Sequence, residues 1–253
     1  MKTLSKLSQV VILSIAVAFV VGCDDGKDNN SASTNTITTH NGVDYKAIKS
    51  PITGRIWLDR NLGVARVCQT FNDTACYGDY YQWGRNTDGD QDSTSATTTT
   101  QTTNVNNVGH MLFIKDHSDW AKNGVDDSDT IRATNWSKTD GSSVCPKGFR
   151  VPTKDEVIAE FTNIHNRVDA FNSFLKLPAA GARYYNGIII KVGESGALYT
   201  TSINSGDRAY DIYYNISQAG VFNLVMLMEH LLDVLKHNNY FCTYYRVYGC
   251  KFR

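Results

Sequence analysis

The chain has 253 residues, with 25 basic and 25 acidic side chains and 42% hydrophobic residues. That is enough for one large domain or two small ones behind a leader. The balanced charge gives no electrostatic reason to expect nucleic acid as a partner. The first element is a leader over residues 1–22: Lys2 and Lys6 precede an apolar stretch from Val10 to Val21. That stretch is short of the roughly 20 apolar residues a membrane-spanning helix needs.

The leader ends in Val20-Val21-Gly22-Cys23. Small residues before a cysteine at the end of an apolar core resemble a bacterial lipobox. The expectation is cleavage before Cys23 and lipid on its thiol and new amino group. The membrane is then a partner through acyl chains, several of which hold a protein stably on a bilayer. The expected location is the bacterial cell envelope, at the outer membrane or cell surface rather than the inner membrane. Residues 23–41 are polar, with almost nothing to bury, and read as a lipidated disordered tether. The globular domain is expected over residues 42–253.

Val43 and Tyr45 begin an alternating strand, and Ile56-Trp57-Leu58 forms a second after a Thr53-Gly54 turn. Residues 86–107 are a loop dense in Thr, Asn, Asp and Gly. Asp88, Asp90 and Asp92 alternate as a calcium loop opens, but its sixth position is Ser93 and its twelfth is Thr99. A solvated acidic loop is the better reading. Thr153 is a helix N-cap with Glu156 completing a capping box, and Val157, Ile158, Phe161 and Ile164 form an apolar stripe behind it. Short strands are expected at Gly187–Val192, Ala197–Thr201 and Tyr210–Tyr214. Phe222–Lys236 contains no Gly or Pro and reads as an amphipathic helix.

Of six cysteines, five remain once Cys23 is lipidated, an odd number in a chain that can keep disulfides. Cys68 and Cys76 are close enough to close a short loop. Cys145 is expected to reach the C-terminal segment, where Cys242 and Cys250 compete for it. There is no C-x-x-C, and His110, His117, His165, His230 and His237 are scattered, so no metal site or cofactor is expected.

Four phrases then line up in order. They are Thr53-Gly54-Arg55-Ile56-Trp57-Leu58-Asp59-Arg60-Asn61-Leu62-Gly63, Tyr77-Gly78-Asp79-Tyr80-Tyr81-Gln82-Trp83-Gly84-Arg85, Cys145-Pro146-Lys147-Gly148-Phe149-Arg150-Val151-Pro152-Thr153 and Leu177-Pro178-Ala179-Ala180-Gly181-Ala182-Arg183. Together they resemble the Fibrobacter succinogenes major paralogous domain, over about residues 42–215 and again at Tyr245–Gly249. The resemblance implies an α+β, C-type lectin-like fold of the formylglycine-generating-enzyme type, loop-rich, with short strands and one or two helices. It also implies that Cys145 pairs with Cys250. Trp57 and Trp83 would be apolar anchors. Arg60, Arg85 and Arg150 would tie loop carbonyls, and Gly148 and Gly181 would hold positive φ or a close approach. The chain departs from the family at Leu198-Tyr199-Thr200-Thr201, at Cys250-Lys251-Phe252-Arg253 directly after Gly249, and in Phe222–Lys236.

Catalysis is not expected: there is no G-x-S-x-G, no H-E-x-x-H and no recognisable Cys/His pair. Oxidative formylglycine chemistry, a property of the fold's relatives, would need reactive cysteines near Cys242 and Cys250, where the surrounding phrase does not match. Ten of the fourteen tyrosines follow residue 183, and tyrosine is favoured on recognition surfaces. The expectation is a protein or glycan ligand on an exposed face made of Tyr199, Thr200, Thr201, Ser202 and Asn204 together with Asn238, Asn239, Tyr240, Thr243, Tyr244 and Tyr245. The run His237–Tyr245 contains residue types reachable from adenine-rich Asn codons, which also fits a variable protein of a diversity-generating retroelement. The alternative is a structural envelope lipoprotein without a specific ligand.

Overall fold

The computed structural model describes residues 36–204, 208–223, 243–244 and 251–252. Cys23, the leader and Cys250 lie outside these residues, as do Asn238, Asn239, Tyr240 and Tyr245. The architecture is mixed α/β and loop-rich, with few helices and several small sheets.

The first strand, β1 (Ile37–His40), pairs antiparallel with β2 (Val43–Lys49). Asn41 and Gly42 between them both hold positive φ, at 49° and 77°. Asn-Gly is the pair that a two-residue hairpin with two positive φ values prefers. The ordered domain therefore begins before residue 42, inside the expected tether. β1 has no buried residue and is held by its ladder, so it left no apolar signal. β3 (Ile56–Leu58) follows, and Trp57 is 1% exposed.

Residues 59–129 hold only a 3-10 turn at Thr74–Cys76, two paired dipeptide strands, β4 (Thr97–Thr98) and β5 (Phe113–Ile114), and a single bridge between Thr102 and Ala121. The Cys68–Cys76 disulfide closes a loop at the start of this region. Buried arginines satisfy many of the carbonyls that no ladder reaches. Arg85 donates to Leu112 O at 3.0 Å, His110 O at 2.8 Å and the Asp88 carboxylate at 2.8 Å. Arg183 donates to Asp92 O at 3.0 Å and to Ser95 O at 2.7 Å, and stacks on Phe113. Arg132 contacts Asp119, Asp126 and Asp129 and lies over Trp83 and Trp120. The expected solvated loop is therefore only partly solvated. Asp90 is fully buried and sits 3.4 Å from Arg85 Nε.

Among the described residues three α-helices follow, where one or two were expected. α1 (Thr130–Ser137) buries Arg132, Asn135 and Trp136, which give no apolar stripe. α2 (Lys154–Glu160) carries the expected capping box on Thr153 and Glu156. It stops at Phe161, its C-cap, so Ile164 packs from beyond the helix and Ile158 is 42% exposed. α3 (Arg167–Asn172) starts at Asn166, whose side chain accepts from Val168 N and Asp169 N. Between α1 and α2 runs β6 (Phe149–Arg150), and Gly148 has φ of 91°.

The C-terminal part contains β7 (Ala180–Tyr184), β8 (Ile189–Val192), β9 (Gly196–Asn204), β10 (Arg208–Tyr214) and β11 (Ala219–Asn223). β12 (Thr243–Tyr244) and β13 (Lys251–Phe252) complete it. Phe222 and Asn223 are strand residues, where a helix was expected; the rest of Phe222–Lys236 lies outside the described residues. The sheets run β1-β2-β3-β13-β6, β11-β10-β9 and β12-β7-β8. The first strands and the last therefore share one sheet.

Replacing Arg132 with Met would leave Asp126 and Asp129 buried without their cation. The expected loss is about 3–5 kcal/mol in urea unfolding. Arg66→Met, at the exposed Arg66–Asp73 pair, should leave the midpoint close to wild type.

Candidate functional site

The expected recognition face divides on inspection. Tyr199, Thr200 and Thr201 are buried, not exposed. Tyr199 packs edge-on to Trp136, with ring centroids 5.8 Å apart. Thr200 donates through Oγ1 to Tyr210 O at 2.8 Å, and its carbonyl accepts from Trp83 Nε1 at 2.8 Å. Thr201 N donates to Pro152 O at 2.9 Å. The run from Gly196 to Thr201 is buried at every position, so β9 is covered on both faces there. An uncharged run of this kind belongs inside a core, and the side chains it contributes are packing and not contact residues.

Beyond that point β9 emerges. Ser202 and Asn204 are half-buried and Ile203 is 37% exposed. Ser202 Oγ accepts from Lys154 N at 3.0 Å, and Lys154 Nζ lies 4.2 Å from the ring centre of half-buried Tyr210. Thr243 and Tyr244 are strand residues of β12, opposite Tyr184 and Arg183 of β7. Thr243 and Tyr244 thus belong to a different sheet from Tyr199–Asn204.

One group that sequence reasoning missed stands next to Tyr199. Asp211 of β10 is opposite Tyr199 in register and therefore on the same face of the sheet. It is fully buried, and neither carboxylate oxygen has a hydrogen-bond partner among the described residues. Burial pushes its pKa well above the usual carboxylate range. Asp90 is shifted the same way by burial, opposed by Arg85. Only the pattern Tyr210-Asp211-Ile212-Tyr213-Tyr214, an acid inside an apolar strand, could have signalled this.

Two cavities share Gly63 and Asp79 in their walls. The smaller, about 230 Å³, is lined by Tyr45, Leu62 and Tyr81, with His40, Thr87 and Gln91 among its other walls. The larger, about 540 Å³, runs past Tyr77, Tyr80, Asp92 and Val192. Gly63 has φ of 81°, and a Cβ there would lie 2.3 Å from Asp79 Oδ1, so the carboxylate occupies the space a side chain would fill. Tyr81 bonds Asp79 Oδ2 and Thr87 Oγ1, each at 3.2 Å. Burial raises the Tyr81 pKa, which keeps the phenol protonated. A third cavity, about 500 Å³, lies beside α1 and is lined by Asn86, Asn106, Asn135 and Lys138. Among the described residues no group of His, Cys, Asp and Glu could hold a metal ion, and no helix is long and apolar enough to cross a membrane.

Set against protein-family models, curated proteins and solved structures, the chain matches none.

Asp211 generates a pH test. Its folded pKa is raised, so the stability it contributes is fully present below the ordinary aspartate pKa and is lost as pH rises through the folded value. The Asp211→Asn variant keeps a neutral group throughout. Its unfolding midpoint relative to wild type should rise steadily from acid to neutral pH. A difference that does not change with pH would show that Asp211 ionises normally in the folded chain.

Proposed function

We propose that this chain is an envelope lipoprotein, anchored through Cys23, whose C-type lectin-like domain holds a protein or glycan ligand and performs no chemistry on it. The observation that carries the binding reading is the ordered loop region, residues 59–129. Long segments without regular structure are uncommon in compact domains and are usually functional when they are ordered. Here buried guanidinium groups hold them in place. Loops fixed on a rigid base are where recognition residues concentrate.

The C-type lectin-like reading draws support from three features. The first and last strands share a sheet, the strands are short, and Trp57 and Trp83 are buried anchors inside the motif phrases. Cys145 is disulfide-bonded. Lys251, the residue after Cys250, is opposite Arg150 in β6, five residues from Cys145. That neighbourhood favours Cys250 over Cys242 as its partner, and non-reducing peptide mapping should return a Cys145–Cys250 peptide. A Cys145–Cys242 peptide would overturn the assignment.

The recognition surface on this reading draws on exposed residues of these loops, on the partly exposed end of β9, Ser202 to Asn204 with Tyr210 and Lys154, and on the segment Asn238–Tyr245. The diversified-receptor version of the proposal rests on that segment alone. In a detergent-partition experiment the Cys23→Ser variant should leave the membrane fraction, and its retention would defeat the anchor. Replacing Tyr240, Tyr244 and Tyr245 together by Ser should abolish pull-down of a surface partner while the unfolding midpoint stays within a few degrees of wild type. A large loss of stability with unchanged capture per folded molecule would make these tyrosines core residues.

A further inference from the structure

The cavity beside α1 goes beyond this reading, since none of its walls belongs to β9, β10 or the segment Asn238–Tyr245. The site shares with that reading only the ordered loops, through Asn86 and Asn106. We propose that it binds a carboxylated saccharide, a hexuronate unit, through Lys138 and the side-chain amides of Asn86, Asn106 and Asn135.

Size and placement come first. About 500 Å³ falls within the roughly 300–1,000 Å³ of ligand clefts. Each amide is fixed by a buried neighbour in sequence: Asn86 follows Arg85, Asn106 follows Val105 and Asn135 precedes Trp136. Asn135 is itself buried and forms the floor, while Thr130, Thr134 and Ser142 form an exposed rim. A ligand thus meets polar groups that are already in place, and little ordering opposes its binding.

The hydrogen bonds choose the chemistry, and Lys138 sets their direction. An ammonium group has no acceptor, so the Asn135 oxygen is the atom that faces it: Lys138 Nζ donates to Asn135 Oδ1 at 2.9 Å. Asn135 Nδ2 then donates to Asn106 Oδ1 at 2.7 Å. The oxygen of each amide is turned toward its donor. Asn106 Nδ2, the second Asn135 Nδ2 hydrogen and two Lys138 hydrogens are left as donors. Asn86 Oδ1 is buried, so that amide too has only its nitrogen to offer the cavity. A chain of bonds that begins on a cation polarises each member, which strengthens the donor at its far end. Among the described residues no carboxylate pairs with Lys138. Asp140, which does feel its charge, is exposed, accepts twice from Ser142 and does not line the cavity.

A cation would meet the ammonium and the amide hydrogens with no carboxylate in the wall. An apolar ligand would strand those donors, at the cost of burying unpaired polar groups. A carboxylate accepts only and is negative, so it matches a cationic floor of donors, and bonds between charged groups are the stronger ones. The rim asks for a second kind of group. Ser142 Oγ donates its hydrogen to Asp140 and is left as an acceptor, and the Thr134 hydroxyl works in either sense. Sugar hydroxyls donate to such oxygens. The wall has one large apolar side chain, Ile131, and no aromatic ring, so it lacks the anchors on which peptide recognition draws.

The test uses the full chain in an uncharged detergent without a sugar headgroup, at low salt. Methyl glucuronide, methyl glucoside and an acetylated glutamate amide are titrated separately by saturation-transfer NMR. Methyl glucuronide should bind with a Kd on the order of 1 mM, and ~5-fold or more tighter than methyl glucoside. Lys138→Gln keeps a donor for Asn135 and removes the charge, so the glucuronide should fall to the level of the glucoside. Thr134→Phe, which fills the exposed rim, should remove binding with an unchanged unfolding midpoint, and it decides the matter if the Lys138 variant fails to fold. Equal binding of the two glycosides by the wild type overturns the proposal, as does a preference for glucuronide that Lys138→Gln keeps. So does tighter binding of the glutamate amide, the absence of any glucuronide signal, or glucuronide binding that survives Thr134→Phe. None of these results depends on the end of β9 or on Asn238–Tyr245, so the surface-ligand reading stands or falls separately.

Discussion

Backbone carbonyls cannot be buried without donors, and residues 59–129 have almost no ladders to supply them. Side chains do it instead, and the guanidinium group suits the task because its planar fork presents five donors at fixed angles. Arg85 and Arg183 hold carbonyls of the segment 90–112 between them. Two of the buried cations are compensated in turn: Arg85 by Asp88 and Asp90, Arg132 by three aspartates and two indole faces. Paired charges of this kind add little net stability over apolar packing, but removing one member is costly. The arrangement therefore specifies one loop conformation rather than making a strong one.

The phrase Gln82-Trp83-Gly84-Arg85 is where this loop region joins the rest of the domain. Gln82 holds Ile114 at both its amide and its carbonyl. Trp83 Nε1 reaches Thr200 O in β9, Trp120 Nε1 reaches Trp83 O, and Trp136 Nε1 reaches Arg85 O. Three indoles thus place the loops, α1 and β9 in one network. Gly84 is required because a Cβ there would lie 2.3 Å from Arg132 Cβ, and its φ is 73°. A motif that reads as a family signature is, physically, the point at which several elements become one body.

What could be read in the sequence follows the same division. β2, β3, α2 with its capping box and the approximate positions of β8, β9 and β10 carried local signals: alternation, a cap and flanking glycines. The disulfide at Cys68 and Cys76 followed from proximity in sequence. α1 was invisible because it buries an arginine and an asparagine in place of an apolar stripe. β1 was invisible because it buries nothing. Tyr199, Thr200 and Thr201 were misplaced because composition cannot tell a tyrosine in a covered strand from one on a surface. Asp90 and Asp211 look like surface acids until tertiary packing closes over them.

Burial of that strand moves the functional question from the sheet to the loops. β9 up to Thr201 is the wall against which Trp83 and Trp136 pack, so a substitution there would disturb folding before it disturbed recognition. The loop surface is the reverse case: its conformation is set from below by Arg85, Arg132 and Arg183, which are buried. Exposed side chains such as Thr87, Asp92 and Met111 can change without loosening those ties. A ligand meeting such a surface does not have to order it first, and the entropy of ordering is among the larger costs of association. On the proposed reading, the buried cations are therefore what allow an irregular surface to bind without folding on contact.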